Sequence, residues 1–517
     1  MSEIIHSSLK KTLKSTTFIL AGMVASSGLW LLTRLIIIRF TTKEDLGYYS
    51  VAVAVANVLG MLGTAGLQEG STRFISMAAS KGDRTEADAL ARSTMHSGLL
   101  MGIGCSAVLA LCAEPIARRI FYMPDLAPAL VAISLFPVAF VLSSLGVGTI
   151  RGFGDIVPRN FQQVGQPLFL LLLLGLFLGS GLSVVEASLA YGFAIVLACA
   201  CIVLYGRTKL GIAALPLRGG GRARMLLMFS APLLMSSFMS MLFTWTDTLM
   251  LGRYASAEEV ATYSVSTSLA RMLSILLGAA GFVFAPIAGD LLSKGQVTEL
   301  KRTYQVVTKW VFAATLPLFF IFFFFPEVTI EFLFERRYLP AALSLQILSV
   351  AYIIAVFVGV NGVLMIIFGL TRTILTISVV GTVINIVLNY ILIKHAALGV
   401  TGAAVATTLS QVVISVLSVT VLYRRSSIQP LTIQYLKPVL GSGLVAMVVF
   451  ALAKSLPLHG WMLPLYLLLF LFGYMASIVM LRAVDHEDLF LLEAISRKTG
   501  VDLSALTAFL KRRLQRS

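Results

Sequence analysis

Stretches of about 20 apolar residues recur from one end of this chain to the other, each long enough to cross a bilayer as a helix. In hydrocarbon every backbone N–H and C=O needs a partner within the protein, so such stretches have little choice but to be helical. Fourteen can be counted, near residues 15–38, 46–67, 94–113, 127–149, 163–182, 186–206, 227–252, 260–287, 305–325, 341–368, 373–394, 399–422, 435–453 and 461–481. Composition agrees: 58% of the 517 residues are hydrophobic and 12% charged, with a mean hydropathy of +0.92. A soluble domain carries about 25% charged residues. No polar region is long enough for a separate soluble domain. The first apolar run is too long for a signal-peptide core and lacks a small-residue cleavage site, so it reads as a retained helix.

The net charge of +16 would suit a nucleic-acid partner if the basic residues formed one patch. They do not. Roughly three quarters of them fall in alternate loops, the pattern of the positive-inside rule. The basic excess is therefore a topology signal, with no nucleic acid implied and both termini expected on the cytoplasmic side. The cysteines Cys105, Cys112, Cys199 and Cys201 fall within apolar runs, and the five histidines are scattered singly. Inert thiols are expected, with no zinc-type ligand set.

Two segments repeat each other. Residues 39–51 read RFTTKEDLGYYSV and residues 253–265 read RYASAEEVATYSV, an offset of 214 that pairs Arg39 with Arg253, Glu44 with Glu258, Tyr49 with Tyr263 and Ser50 with Ser264. Weaker matches keep nearly the same offset. Ser80-Lys81-Gly82 corresponds to Ser293-Lys294-Gly295, Pro115 to Pro326, and GLSVVEASLA (181–190) to ALGVTGAAVA (397–406). The unit is six spans. Six is even, so both copies enter the membrane from the same side, as a parallel repeat about an axis along the membrane normal. The predicted fold is an all-α integral membrane protein of about fourteen helices, with two six-helix lobes in a parallel pseudo-twofold repeat plus two extra helices. The predicted boundaries are an N-lobe at 1–206, a cytoplasmic linker at 207–226 and a C-lobe at 227–424. Spans 13 and 14 follow at 425–481, then a basic amphipathic cytoplasmic tail at 482–517. A two-lobed membrane repeat is the mark of a transporter with its path between the lobes. The motif itself falls on an outer turn and the start of a helix. It is expected to be a structural turn that locates the site without belonging to it.

Ionisable groups within spans are costly and mark a pathway by default. Arg34 in span 1, Asp247 in span 7 and Arg271 in span 8 are such groups. The repeat sets Arg34 one residue from the counterpart of Asp247, and makes Asn57 the counterpart of Arg271. These four are the candidate central-cavity residues. The alternatives are snorkelling for Arg34 and a structural ion pair with Asp247 for Arg271. In span 11, Asn385 and Asn389 lie one helical turn apart on one face. Their amide oxygens, the Asp247 carboxylate and the Thr407 or Thr408 hydroxyl of span 12 form a candidate monovalent-cation site. The alternative is interhelical hydrogen bonding. Pro137 and Pro317 are expected to kink spans 4 and 9. There is no Walker loop for ATP. A membrane enzyme would be expected to place its catalytic groups on a long outer loop, and the loop holding Glu331, Glu335, Arg336 and Arg337 is short, so no enzyme is expected.

Three stretches carry a family likeness: TRLIIIRFTTKEDLGYYSVA (33–52), APLLMSSFMSMLFTWTDTLMLGRYASAEEVATYSVS (231–266) and GTVINIVLNYILIKHAALGVTGAAVATTLS (381–410). With the helix number, they resemble the Wzx-type oligosaccharide flippases of the multidrug/oligosaccharidyl-lipid/polysaccharide exporter superfamily. The resemblance implies a lipid-linked oligosaccharide on polyprenyl pyrophosphate or phosphate, moved across the cytoplasmic membrane by alternating access for surface glycan assembly. It implies no cofactor, a Na+ or H+ gradient as driving force, membrane lipids as surroundings, glycan polymerase or transferase components as partners, and a monomer. Arg34 and Arg271 resemble cavity arginines of related lipid II flippases. Asp247, Asn385 and Asn389 resemble their sodium ligands, with Asn389 where an acid can occur. A cation-coupled multidrug exporter of the same superfamily is the alternative. Two arginines against one aspartate within the spans disfavour a cavity built for cationic drugs.

Overall fold

A computed structural model describes residues 22–155, 157–179, 181–211, 223–430, 433–455 and 463–480. Among them the chain is all α-helical. Among the described residues each predicted apolar run falls mainly in helix: α1 Gly22–Phe40, α2 Lys43–Thr64, α3 Leu67–Ser80, α4 Arg84–Leu111, α5 Phe136–Gly152, α6 Val157–Phe177, α7 Val184–Leu210 and α8 Ala223–Tyr254. Then come α9 Ala257–Ala270, α10 Ile275–Ser293, α11 Val297–Phe324, α12 Ala342–Val358, α13 Thr371–Asn389, α14 Gly399–Ser426, α15 Ile433–Ser455 and α16 Leu463–Met480. Eleven helical stretches among the described residues are long and apolar enough to cross a membrane. The chain is a multi-pass membrane protein. Most of the predicted linker and tail lie outside the described residues.

Helix starts follow from sequence. Thr42 caps α2 by accepting from Asp45 N at 3.1 Å, and Asp83 caps α4 by accepting from Glu86 N at 2.9 Å. Ser183 and Glu186 form a capping box at α7, and Ser256 and Glu259 exchange the same bonds before α9. Thr42 with Asp45 and Ser256 with Glu259 are counterparts at the offset of 214, so the acid three residues after the cap recurs because it serves the start of a helix in both copies.

Several spans are interrupted. Span 2 does not end near residue 67 but turns at Ala65 and Gly66, both with positive φ, and runs on as α3. A Cβ at Gly66 would meet Ser230 O at 2.6 Å, so this turn lets α8 pack closely. Pro137 does not kink the middle of a helix. It lies in the first turn of α5, after the short helix Leu126–Ala132, where its missing N–H costs nothing. Pro317 lies inside α11.

The chain forms two compact units: Met1–Ser268 with Arg372–Ser410, and Leu269–Thr371 with Gln411–Ser517. The lobes 1–206 and 227–424 describe the sequence repeat, whereas packing divides the chain elsewhere. In the first unit α5 lies against α3, α4 and α7, and α8 lies along α2 and α3. Small residues make this possible. Gly148 sits where a Cβ would be 2.7 Å from Gln68 O, and Gly102 where it would be 2.9 Å from Val138 Cα. In the second unit α15 and α16 pack on α11 through Phe312, Leu316, Val449 and Phe470, with Tyr474 OH donating to Ala313 O at 2.9 Å. All four cysteines are unpaired.

Candidate functional site

Asp247 lies on α8 and is 5% exposed. A carboxylate in hydrocarbon is tolerated only when its oxygens are fully hydrogen-bonded. Here four donors from three other helices serve it. Oδ1 accepts from Asn389 Nδ2 at 2.7 Å and from Asn385 Nδ2 at 3.2 Å, both on α13. Oδ2 accepts from Thr407 Oγ1 of α14 at 2.5 Å and from the hydroxyl of Tyr263 on α9. Asn385 and Thr407 also meet each other at 3.3 Å. The spacing of Asn385 and Asn389 brings both amides to one carboxylate because they stand one turn apart. Thr408 Oγ1 donates to Ala404 O of its own helix at 2.8 Å.

Both amides spend their nitrogens on Asp247. Their oxygens, Asn385 Oδ1 and Asn389 Oδ1, are buried and have no hydrogen-bond partner among the described residues. Unsatisfied buried acceptors are uncommon in native proteins. Two beside one carboxylate and one hydroxyl make an all-oxygen donor set with a single negative charge, the chemistry of a hard monovalent cation. No group of three or more His, Cys, Asp or Glu that could hold a metal occurs among the described residues.

Arg34 belongs to a neighbouring group. Its Nε donates to Ser268 Oγ at 2.9 Å, and Nη2 donates to Ser264 Oγ. Ser50 Oγ donates to Ser264 Oγ at 3.0 Å. The guanidinium is thus turned onto α9 instead of snorkelling. Arg34 and Asp247 are linked through consecutive residues of α9, since Tyr263 holds the carboxylate and Ser264 the guanidinium.

This corrects one expectation. The repeated segment is not merely a structural turn, because its Tyr263 and Ser264 sit inside the polar cluster. Sequence reasoning passed over them, together with Ser268, because hydroxyls within spans are common and usually bond their own helix. The repeat itself was the signal that marked them.

Asn57 donates to Val53 O at 2.8 Å and to Tyr191 OH at 3.4 Å, in an aromatic cluster where Tyr191 meets Trp30, Tyr49 and Phe136. The charge of Arg34 acts on both Tyr49 and Tyr191, so this cluster borders the Arg34 group. Arg271 belongs to the second compact unit, where it opens a tightened helical turn, Arg271–Ser274, and is exposed. The structure therefore brings together Asp247, Asn385, Asn389 and Thr407, and sets Arg34 beside them.

Comparison with known proteins gives a consistent fold. An inward-closed structure of the lipid II flippase MurJ superposes with a TM-score of 0.71 at 12% identity, covering 90% of this chain and 98% of that one. An inward-facing multidrug resistance MATE family transporter of the MOP superfamily superposes with a TM-score of 0.63 at 17% identity, covering 79% and 94%. An uncharacterized membrane protein of Methanocaldococcus jannaschii is 28% identical over 173 residues, 32% of this chain and 33% of that relative. The chain thus matches about a third of the length of that curated relative. Residues 232–391 match the family described as MatE. Residues 12–292, more than half of the chain, match the family described as Polysaccharide biosynthesis protein, and the chain belongs to that family.

Proposed function

We propose that the protein is a flippase. It moves an oligosaccharide linked to polyprenyl pyrophosphate or phosphate across the cytoplasmic membrane by alternating access, with both termini cytoplasmic. Family membership supports a glycan pathway, and the MurJ-like fold supports a lipid-linked cargo. The head group crosses in a hydrated path while the lipid tail stays in hydrocarbon, so the sugars are never stripped of water.

The observation that carries the transport reading is the enclosed Asp247 carboxylate beside two amide oxygens that have no partner among the described residues. In this reading Asp247, Asn385, Asn389 and Thr407 hold the coupling cation. A half-turn of each amide presents oxygen in place of NH2. Sodium and a proton compete for the same carboxylate, and either supplies the charge whose movement down its gradient drives the cycle. Four side chains from α8, α13 and α14 then close together on one ion, which links binding to helix position.

Flipping of a fluorescent polyprenyl pyrophosphate oligosaccharide in proteoliposomes tests this reading. A sodium or proton gradient accelerates the wild type, and Asp247→Asn removes the acceleration. Equal rates with and without both gradients would sink the coupling site. The MatE match favours a second reading, a cation-coupled multidrug exporter. Gradient-driven efflux of ethidium, with no glycan flipping, would select it.

A further inference from the structure

The last turn of α8 carries Arg253 and Tyr254. Two six-residue π-helical turns, Ile116–Phe121 and Tyr390–His395, pack against this helix. Such widened turns recur at functional sites. They gather an array of cations and rings within the first compact unit. The Arg253 guanidinium lies 4.2 Å from the centroid of the Tyr122 ring and 5.2 Å from that of Tyr254. Tyr254 meets Tyr390 edge to face at 5.9 Å. Lys394 Nζ lies 4.7 Å from the Tyr390 centroid and 5.5 Å from that of Tyr254, and donates to Tyr390 OH at 2.9 Å. His395 meets Tyr390 at 5.1 Å.

Two features of this array have no structural necessity. First, Arg253 and Lys394 are close enough to repel each other, yet neither pairs with a carboxylate among the described residues. The ion pairs on the first unit, such as Lys43 with Glu258 and Arg118 with Glu114, use other cations. Second, Tyr122 holds φ 56° and ψ 32°, a left-handed conformation that tyrosine rarely adopts. Glycine or asparagine would sit there more easily. Tyrosine gains the stacked guanidinium, and the residue is 64% exposed.

Arg presents a planar fork that fits the oxygens of a phosphate or carboxylate, Lys adds a point charge, and exposed tyrosine rings stack on the apolar faces of pyranoses. A lipid-facing belt also uses Tyr, Lys and Arg. Its side chains, however, anchor singly at the headgroups, whereas here both cations share the Tyr254 ring. Under the positive-inside orientation, α8 and α13 end on the outer side, where a translocated head group emerges.

We propose that Tyr122, Arg253, Tyr254, Tyr390, Lys394 and His395 form a binding site for an anionic saccharide, one bearing phosphate or uronate, at the outer end of the translocation path. This rests on the flippase reading for the origin of the ligand, and on the geometry alone for its chemistry.

The test uses the full-length protein in phosphatidylcholine nanodiscs, titrated calorimetrically with inorganic pyrophosphate, a glucuronate-containing disaccharide and its neutral glucose counterpart. The two anions are expected to bind about tenfold or more tightly than the neutral sugar, with equal weakening in Arg253→Gln/Lys394→Gln. Tyr390→Leu should weaken the anionic disaccharide more than pyrophosphate. Arg253→Lys keeps the charge and loses the fork, and should fall between wild type and the double variant. Absence of saturable anion binding, or binding unchanged in the double variant, overturns the proposal. So does a cluster that responds only to phosphatidylglycerol added to the nanodiscs, which would make it a membrane anchor. Flipping assays separate this proposal from the reading beneath it. Pyrophosphate binding that follows Arg253 and Lys394, in a protein that flips nothing, leaves the site standing and removes the flippase. Flipping that depends on Asp247, but is unchanged in a double variant that still binds anions as the wild type does, removes the site alone.

Discussion

Asp247 accepts four hydrogen bonds, and its variants separate electrostatics from packing. Asp247→Asn keeps the shape but turns an NH2 toward donors that have lost their acceptor. Each buried donor left unpaired costs about 1–3 kcal/mol, so thermal unfolding in detergent should move down as gradient coupling disappears. A variant that unfolds like wild type would show that the four bonds contribute nothing net. Arg34 offers a ranking test in the same cluster. Ser264→Ala removes an acceptor from a charged donor, which costs about 1.5–3 kcal/mol, whereas Ser50→Ala removes a neutral bond of about 1 kcal/mol. Denaturation midpoints should fall in that order, and the reverse order would mean that the guanidinium relies on other partners. At this scale the sequence was informative about charge and spacing. Asp247, Asn385, Asn389 and Thr407 were legible because carboxamides one turn apart and a lone acid within spans are rare. For Asn57 the repeat fixes a backbone position and not the environment, so its neighbours, Tyr191 and its aromatic cluster, were not legible.

Helices were legible from apolar length alone, but their interruptions were not. The break after α12 illustrates why. Gly359 holds φ 71°, and a Cβ there would lie 2.2 Å from Thr308 Oγ1 on α11. Beyond it Asn361 is 2% exposed, and both its polar side-chain atoms lack partners among the described residues. Tyr304 OH of α11 donates to the freed Val358 carbonyl at 2.8 Å. The sequence shows one continuous apolar run, 341–368, because a tertiary contact with α11 decides the break. Gly359→Ala should cost about 2–4 kcal/mol, combining left-handed strain with overpacking. Thr308→Ala removes two of the three clashing atoms, so the double variant should recover part of that loss. Additive losses, measured by urea denaturation in micelles, would show that the two residues do not compete for the same space. The same logic explains Ala65 and Gly66, whose turn answers α8 and not its own sequence neighbours.

Across the whole molecule, the repeat proved to be a contact as well as a pattern. Ser50 and Ser264 are counterparts at an offset of 214, and their hydroxyls lie 3.0 Å apart. A residue touches its own equivalent only close to the axis that relates the copies, so this hydrogen bond marks the axis of the parallel repeat. Beside it, Lys43 pairs with Glu258 at 3.4 Å, and Gly47 has no room for a Cβ, which would lie 2.0 Å from Ala257 O. The two copies are therefore joined where their segments begin, at the end assigned to the outer side. If the proposed transport cycle opens the path by parting the two copies, this junction separates once per cycle. Ser50→Cys with Ser264→Cys, in a background free of Cys105, Cys112, Cys199 and Cys201, places two thiols within reach of a disulfide. Oxidation should form the cross-link within one chain and stop flipping in proteoliposomes, and dithiothreitol should restore it, so the reduced protein serves as its own control. A cross-linked protein that still flips at the reduced rate would mean that the copies stay together throughout transport. The path would then have to open by bending within helices, for which the breaks at Gly66, Arg271 and Gly359 would be the places to look.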